Sequence, residues 1–292
     1  MRKFTRLNFI IFTLLAMVVI QPTMLHADPL PLDPIVAQYI NPDEAIGITI
    51  RDYDSGEIVY SLNGDIPRST ASGLKLLTGA AALHILGKDY RFTTKMYYDG
   101  SISNNVLDGN IYIVGSGDPT INYTDYSSLA SQLMLIGINK INGYIFGDAT
   151  RFTGDSKSPG VVAAEAHYAY AARTPAITMA PNSTYDTGSI NVIVKGIKAG
   201  AKPTLGVEPT FAGMTVKNIA KTGIKSSANS LTITRKDASG EIVISGSIPV
   251  GSKMEQLVSM QDPTVNTLHS FTEALRAIGI SFANQDLSLI HI

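Results

Sequence analysis

One serine and one lysine in this sequence are spaced so that they could carry out nucleophilic chemistry. They occur in the segment Ser72-Gly73-Leu74-Lys75, the only Ser-x-x-Lys among the 292 residues. Residues three apart lie on one face of a helix, so the amine of Lys75 can reach the hydroxyl of Ser72. A serine is a poor nucleophile unless a neighbouring base takes its proton. The spacing therefore indicates a nucleophile, Ser72, beside its general base, Lys75.

The element that must position this pair is a helix beginning near Ser72. Ser69 or Thr70 could act as its N-cap, and Gly87 could end it. Apolar residues recur at helical spacing between these ends: Leu74, Leu77, Ala81 and Ile85. This pattern predicts a buried helix, and burial would favour the neutral amine that a base requires. By itself, the same spacing also fits an amphipathic helix in which serine and lysine meet by chance.

Two longer segments carry a resemblance to a known family. Residues 70–83, Thr-Ala-Ser-Gly-Leu-Lys-Leu-Leu-Thr-Gly-Ala-Ala-Ala-Leu, followed by Gly-Lys-Asp-Tyr-Arg-Phe-Thr-Thr at 87–94, resemble the active-site segment of class C low-molecular-mass penicillin-binding proteins. Residues 108–120, Asp-Gly-Asn-Ile-Tyr-Ile-Val-Gly-Ser-Gly-Asp-Pro-Thr, resemble that family's Gly-Asp-Pro-Thr signature. The family comprises D-alanyl-D-alanine carboxypeptidases and endopeptidases of the bacterial cell wall.

The resemblance implies a serine-type peptidase that acts on peptidoglycan stem peptides. Ser72 would attack the D-Ala-D-Ala carbonyl, Lys75 would take its proton, and water would release the acyl-enzyme. The resemblance also implies that β-lactams act as covalent inhibitors by acylating Ser72. No cofactor or metal is expected, because the histidines form neither a Ser-His-Asp set nor a zinc motif.

The resemblance further implies an α+β fold of the penicillin-recognising type, related to serine β-lactamases and DD-peptidases. We expect residues 28–91 to form the N-terminal part of the catalytic domain. Residues 92–286 would be an inserted β-rich region of two lobes, and residues 287–292 a non-native tail. The family completes its site with later Ser-x-Asn and Lys-Thr-Gly motifs. We therefore expect the chain to be C-terminally truncated and inactive.

Two further positions can be compared with the family. One matches a family motif, and the other differs from the residue that the family often has. Lys221-Thr222-Gly223 matches Lys-Thr-Gly, but its surroundings align better with a stretch inside the inserted region, so we interpret it as a decoy. Glu165 stands where the family often has an aspartate that contacts the amino end of the stem's diamino acid. It could keep that charge, or it could be a solvated carboxylate.

The N-terminus predicts export. Residues 1–27 combine a basic start, an apolar run and a polar exit, which is typical of a signal peptide cleaved after Ala27. We therefore expect an extracytoplasmic protein with no stable membrane span after cleavage. The chain has no cysteine, which excludes disulfides and thiolate sites. A net charge of -1 with scattered lysines and arginines gives no nucleic-acid surface.

Alternating and helical patterns predict the remaining elements. A hairpin of residues 45–52 and 58–63 precedes the Ser72 helix. Further strands are expected at residues 110–114, 143–146, 190–194, 214–218, 230–234 and 241–245. Helices are expected at residues 124–136 and 263–278, the second with Val265, Leu268, Phe271 and Leu275 on one face.

Two rival functions remain at this stage. A related Ser-x-x-Lys β-lactamase or esterase would share the helix, although the Gly-Asp-Pro-Thr signature and the β-rich region argue against it. A non-catalytic cell-wall-binding or surface-interaction module is the rival of a different class. Comparing peptidoglycan binding by the chain and by its Ser72→Ala variant distinguishes binding from acylation.

Overall fold

The computed structural model describes residues 32–41, 45–209 and 213–283, together with the backbone of residues 289–291. The predicted signal peptide, residues 1–27, lies outside them. The chain separates into two compact units, residues 1–88 and 89–292, called unit 1 and unit 2 below. Within the described residues, no helix has both the length and the apolar character needed to span a bilayer. The predicted domain boundaries stay predictions.

The described residues of unit 1 form two α-helices and one hairpin. Helix α1 is Leu32–Tyr39, strands β1 and β2 are Ile48–Arg51 and Ile58–Leu62, and helix α2 is Leu74–Leu86. The strands pair antiparallel, with Ile50 opposite Tyr60. The turn between them is held by Asp52, whose Oδ1 accepts hydrogen bonds from the backbone and hydroxyl of Ser55. The predicted hairpin is therefore confirmed.

Unit 2 contains sixteen described strands and two α-helices. The helices are α3, Tyr123–Leu135, and α4, Pro263–Ala277. The strands are β3 Lys95–Tyr98, β4 Ser101–Ser103, β5 Val106–Asp108, β6 Ile111–Val114, β7 Lys140–Ile141, β8 Ile145–Asp148, β9 Ser189–Lys195, β10 Thr204–Glu208, β11 Val216–Asn218, β12 Lys221–Gly223, β13 Thr232–Arg235, β14 Ile242–Ser245, β15 Ser247–Pro249, β16 Lys253–Ser259, β17 Ser281–Phe282 and β18 Leu289–His291.

Two four-stranded sheets lie in the first part of unit 2. Their strand orders are β17-β7-β5-β4 and β18-β8-β6-β3. The pairs β6–β8, β8–β18, β5–β7 and β7–β17 are parallel, and the outer pairs β3–β6 and β4–β5 are antiparallel. Parallel neighbours need long crossovers, and helix α3 lies within the crossover between β6 and β8.

Helices α3 and α4 pack on each other next to these strands. Tyr126 of α3 and Phe271 of α4 meet edge to face, with ring centroids 6.4 Å apart. Leu268, Phe271 and Leu275 of α4 are fully buried, as the predicted apolar face requires. A Cβ added to Gly147 of β8 would lie 2.7 Å from Leu268, so this glycine lets the helix approach the strand closely.

The later strands form smaller sheets. β9 lies between β10 and β16 in an antiparallel sheet, β14 lies between β11 and β13, and β12 pairs with β15. The predicted strands near residues 110, 190, 230 and 241 are confirmed within two or three residues of their ends. The strand expected at 143–146 begins at Ile145. The strand expected at 214–218 is β11, which begins at Val216. Helix α1 and several strands, β16 among them, were not predicted.

Candidate active site

Ser72 lies immediately before helix α2. Residues Ala71–Gly73 form a 3-10 turn that continues into α2, and the amide of Gly73 donates to the carbonyl of Thr70 at 2.8 Å. The side chain of Thr70 makes no capping hydrogen bond, so the predicted N-cap is wrong at this position. Gly87 ends the helix with φ at 79°, as predicted.

The structure brings the two predicted site residues into direct contact. The Lys75 Nζ donates a hydrogen bond to the Ser72 Oγ at 2.9 Å. That distance is within the range at which a base can take the proton of a nucleophile. The contact is local, because the two residues are three apart on one helical path. The catalytic role of the pair stays a prediction.

The predicted burial of α2 is wrong. None of its residues is buried, and Leu76 and Leu83 are 82% and 65% exposed. Ser72 and Lys75 are exposed as well. The helix is apolar around most of its circumference, which is typical of helices covered on several sides. The prediction was wrong because a helix pattern encodes an apolar surface but not what packs on that surface.

The loop that carries Glu165 lies in unit 2 and is held by contacts within that unit. Two 3-10 turns, Ala163–Glu165 and Ala169–Ala171, shape it. The rings of Tyr168 and Tyr170 stack, with centroids 5.5 Å apart and planes inclined by 14°. Desolvation, followed by the charge of Glu165, raises the pKa of the Tyr170 hydroxyl. The structure therefore presents Glu165 beside an exposed aromatic pair.

A buried arginine that the sequence did not identify anchors this loop. The Arg235 side chain is 3% exposed, and its Nη2 donates to the Ala166 carbonyl at 2.7 Å. The Ser259 hydroxyl donates to the same carbonyl. Arg235 also bonds Gln261 and, at 3.3 Å, Asp237. Burial lowers the pKa of this guanidinium. An arginine followed two residues later by aspartate was the only sequence signal, and it is a weak one.

The Lys221-Thr222-Gly223 segment forms strand β12, which pairs in parallel with β15. Thr222 is 2% exposed, and its hydroxyl has no hydrogen-bond partner among the described residues. A buried hydroxyl of this kind is not presented to a ligand. The interpretation of this motif as a decoy stays a prediction.

The histidines and carboxylates of the described residues are spread over both units. Among these described residues, no three histidine, aspartate or glutamate side chains come together as ligands. His84, on helix α2, lies in unit 1, whereas His167 and His269 lie in unit 2.

Comparisons with known proteins agree with the resemblance in the sequence. The model of the D-Ala-D-Ala carboxypeptidase 3 (S13) family matches residues 31–288. A D-alanyl-D-alanine carboxypeptidase of an Actinomadura species is 31% identical over 238 residues, which are 80% of this chain and 44% of the relative. The D-alanyl-D-alanine carboxypeptidase DacB of Haemophilus influenzae is 30% identical over 115 residues, 39% of this chain and 24% of the relative.

Solved structures show the same fold. Penicillin binding protein 4 of Haemophilus influenzae matches 87% of this chain and 55% of its own, with a TM-score of 0.71 and 19% identity. A second structure of that protein, in complex with a β-lactam, matches 90% and 55% with a TM-score of 0.65 and 20% identity. The chain thus has a mixed α+β fold and spans less than half the length of the curated relatives it matches. The predicted truncation and the non-native tail stay predictions.

Proposed function

This chain belongs to the D-Ala-D-Ala carboxypeptidase 3 (S13) family, and from that premise we propose that it carries the nucleophile of a serine-type DD-peptidase. Its substrates would be the stem peptides of peptidoglycan, cleaved as a carboxypeptidase or an endopeptidase. One observation carries the proposal within this chain. It is the 2.9 Å hydrogen bond between the Lys75 Nζ and the Ser72 Oγ.

The proposed reaction uses this pair in two steps. The Ser72 Oγ attacks the carbonyl carbon of the penultimate D-alanine while its proton passes to the Lys75 Nζ. The lysine returns that proton to the departing amine, which leaves an ester on Ser72. Water then adds to the ester, and the hydroxyl of Ser72 is restored. Helix α2 begins two residues after Ser72, and its partial positive end favours the negative charge that develops there.

The exposure of the pair bears on the rate of this reaction. A lysine serves as a base only in its neutral form, and desolvation or a nearby cation is what favours that form. Both side chains are exposed, so bulk water has direct access to the pair. We therefore expect acylation of this chain to be slow and turnover to be low.

A penicillin with a fluorescent label tests the proposal. A related structure contains a β-lactam, and we propose that β-lactams acylate Ser72 here. After long incubation with excess label, digestion and mass spectrometry should place the adduct on the peptide that contains Ser72. Ser72→Ala should abolish the adduct and Lys75→Met should slow its formation, whereas the matched control Ser69→Ala should leave it unchanged.

Three results would contradict parts of this proposal. An adduct that survives in Ser72→Ala, or that maps to another residue, would remove Ser72 as the nucleophile. Equal labelling rates for Lys75→Met and the unmodified chain would remove Lys75 as the base. Complete labelling within seconds would show that exposure does not limit acylation.

We also propose that the protein acts outside the cytoplasm. The support is the signal-peptide pattern of residues 1–27, which places a cleavage site after Ala27. The intact mass of protein recovered from the extracytoplasmic fraction of an expressing bacterium should correspond to a chain that begins at Asp28. Recovery of the uncleaved chain from the cytoplasm alone would overturn this proposal.

A further inference from the structure

The Gly-Ser-Gly-Asp-Pro-Thr signature has no part in the reaction proposed above. Its two glycines, however, pack closely against other residues of unit 2. Gly117 has φ at 78°, and its amide donates to the Ala176 carbonyl at 2.9 Å. A Cβ at Gly117 would lie 2.4 Å from the ring of Phe152, and one at Gly115 would lie 2.2 Å from the Ala176 carbonyl. Because Gly117 has no side chain, the Phe152 ring can pack directly against its backbone.

Phe152 forms one wall of a cavity of 460 Å³ in unit 2. The other residues that line it are Ala149, Thr150, Thr153, Gly154, Asp155, Ser156, Thr174 and Pro175. The ring is held at Gly117 but is still 50% exposed, so part of it is available to a ligand. The volume is within the range of about 300–1,000 Å³ that is usual for small-molecule sites.

Hydroxyl groups dominate the polar part of the lining. They belong to Thr150, Thr153, Ser156 and Thr174. The Thr150 hydroxyl donates to Asp148 at 2.6 Å, and the Thr174 hydroxyl donates to the Ser156 carbonyl at 3.4 Å. The hydroxyls of Thr150 and Thr174 thus already donate within the protein and keep acceptor lone pairs, whereas those of Thr153 and Ser156 can donate to a ligand. The lining can therefore both accept and donate hydrogen bonds.

The charge of the lining selects against anionic ligands. Among the described residues that line the cavity there is no lysine, arginine or histidine, so a phosphate or carboxylate would lack a counter-ion. One carboxylate is present, that of Asp155. Its Oδ1 already accepts from the Lys157 amide and from Arg173, each at 2.9 Å. A neutral ligand with many hydroxyl groups matches this environment.

We propose that this cavity binds a neutral pyranose of an oligosaccharide. The C–H face of the sugar would lie on the Phe152 ring, and its hydroxyls would exchange hydrogen bonds with the four hydroxyl side chains. A peptide is a poorer match, because residues 149–156 form no strand with which an extended chain could pair. The inference goes beyond the proposed peptidase reaction, and no residue of unit 1 lines the cavity.

The absence of tryptophan from the chain allows a direct test. In Phe152→Trp the only indole of the protein lies in this cavity. In the matched control, Tyr144→Trp, the only indole lies at another exposed position of unit 2, outside the cavity. Each variant is titrated with a tetramer of N-acetylglucosamine, with cellotetraose, and with a peptide ending in D-Ala-D-Ala. Saturation-transfer NMR with the unmodified chain provides a second measurement that requires no substitution.

We expect a saturable change in the emission of Phe152→Trp with the amino-sugar tetramer and none with Tyr144→Trp. Binding of cellotetraose as well would support a general pyranose site, and its exclusion would support an amino-sugar site. In NMR, Phe152→Ala should weaken binding by about tenfold or more, as the loss of an aromatic contact predicts. Thr174→Val should weaken it with little change in shape.

Other outcomes would overturn the inference. They are no response to either sugar, a response only to the peptide, or equal responses of the two tryptophan variants. The Ser72→Ala variant should bind sugar as the unmodified chain does. A failure of the peptidase proposal is therefore distinguishable from a failure of this one.

Discussion

Replacing Arg235 with methionine should loosen the loop of residues 163–171 and destabilise unit 2. The variant loses two hydrogen bonds from a charged donor, one to the Ala166 carbonyl and one to Gln261. Each such bond contributes about 1.5–3 kcal/mol. The ion pair between Arg235 and the half-exposed Asp237 contributes about 1 kcal/mol at most.

The desolvation of a buried charge opposes these gains and is relieved in the variant. We therefore expect a net loss of about 2–3 kcal/mol rather than the full sum of the bonds. The Ala166 carbonyl keeps its bond from Ser259, so the loop should open locally before unit 2 unfolds. Methionine preserves most of the buried stem volume, which makes the comparison sensitive to the polar contacts.

Hydrogen exchange measured by mass spectrometry can resolve this effect. Amides of residues 163–171 should exchange faster in Arg235→Met, whereas those of unit 1 should not change. The control is Arg173→Met, because Arg173 forms a surface pair with Asp155 at 2.9 Å that is worth about 0–1 kcal/mol. Equal effects of the two substitutions, or unchanged exchange in residues 163–171, would refute the assignment of Arg235 as the anchor.

Two further predictions concern stability. Leu268→Ala, in the fully buried face of α4, should lower the free energy of unfolding of unit 2 by about 3–5 kcal/mol in urea denaturation; the control Leu135→Ala, at a residue 86% exposed, should change it by less than about 0.5 kcal/mol. Asp99 accepts hydrogen bonds from Asn110 and Tyr112, which lower its pKa from the ordinary 3.8. The stabilising contribution of Asp99 is therefore present above pH 3.8 and is lost as the pH falls through the lowered pKa. Stability should therefore decrease more steeply below pH 3.8 in the unmodified chain than in Asp99→Asn, and parallel acid-unfolding curves would contradict this.

The sequence predicted best the features that depend on neighbouring residues. The two long helices of unit 2, predicted at residues 124–136 and 263–278, show why. Asn122 and Asp125 form a reciprocal capping box at the start of α3, and Asp262 accepts the Val265 amide at the start of α4. These bonds join residues only a few positions apart. The spacing of such residues in the sequence is therefore enough to predict where a helix begins.

Several features that depend on distant residues were not predicted. Strand β16 is rich in polar residues and lacks a clear alternation, yet it pairs along its whole length with β9. Its place depends on a partner strand more than fifty residues earlier in the chain, and no local pattern reports that partner. The exposure of α2 was missed for the same reason, because an apolar helix surface does not specify what packs against it.

The sequence by itself determined that Ser72 and Lys75 share one face, since their contact needs only a single turn of backbone. The tertiary structure alone decided that Arg235 holds the carbonyl of Ala166, 69 residues away, and that Phe152 rests on Gly117. A local contact follows from the conformation of a few consecutive residues. A distant contact exists only once the whole path of the chain has brought two segments together, and residue spacing does not encode that path.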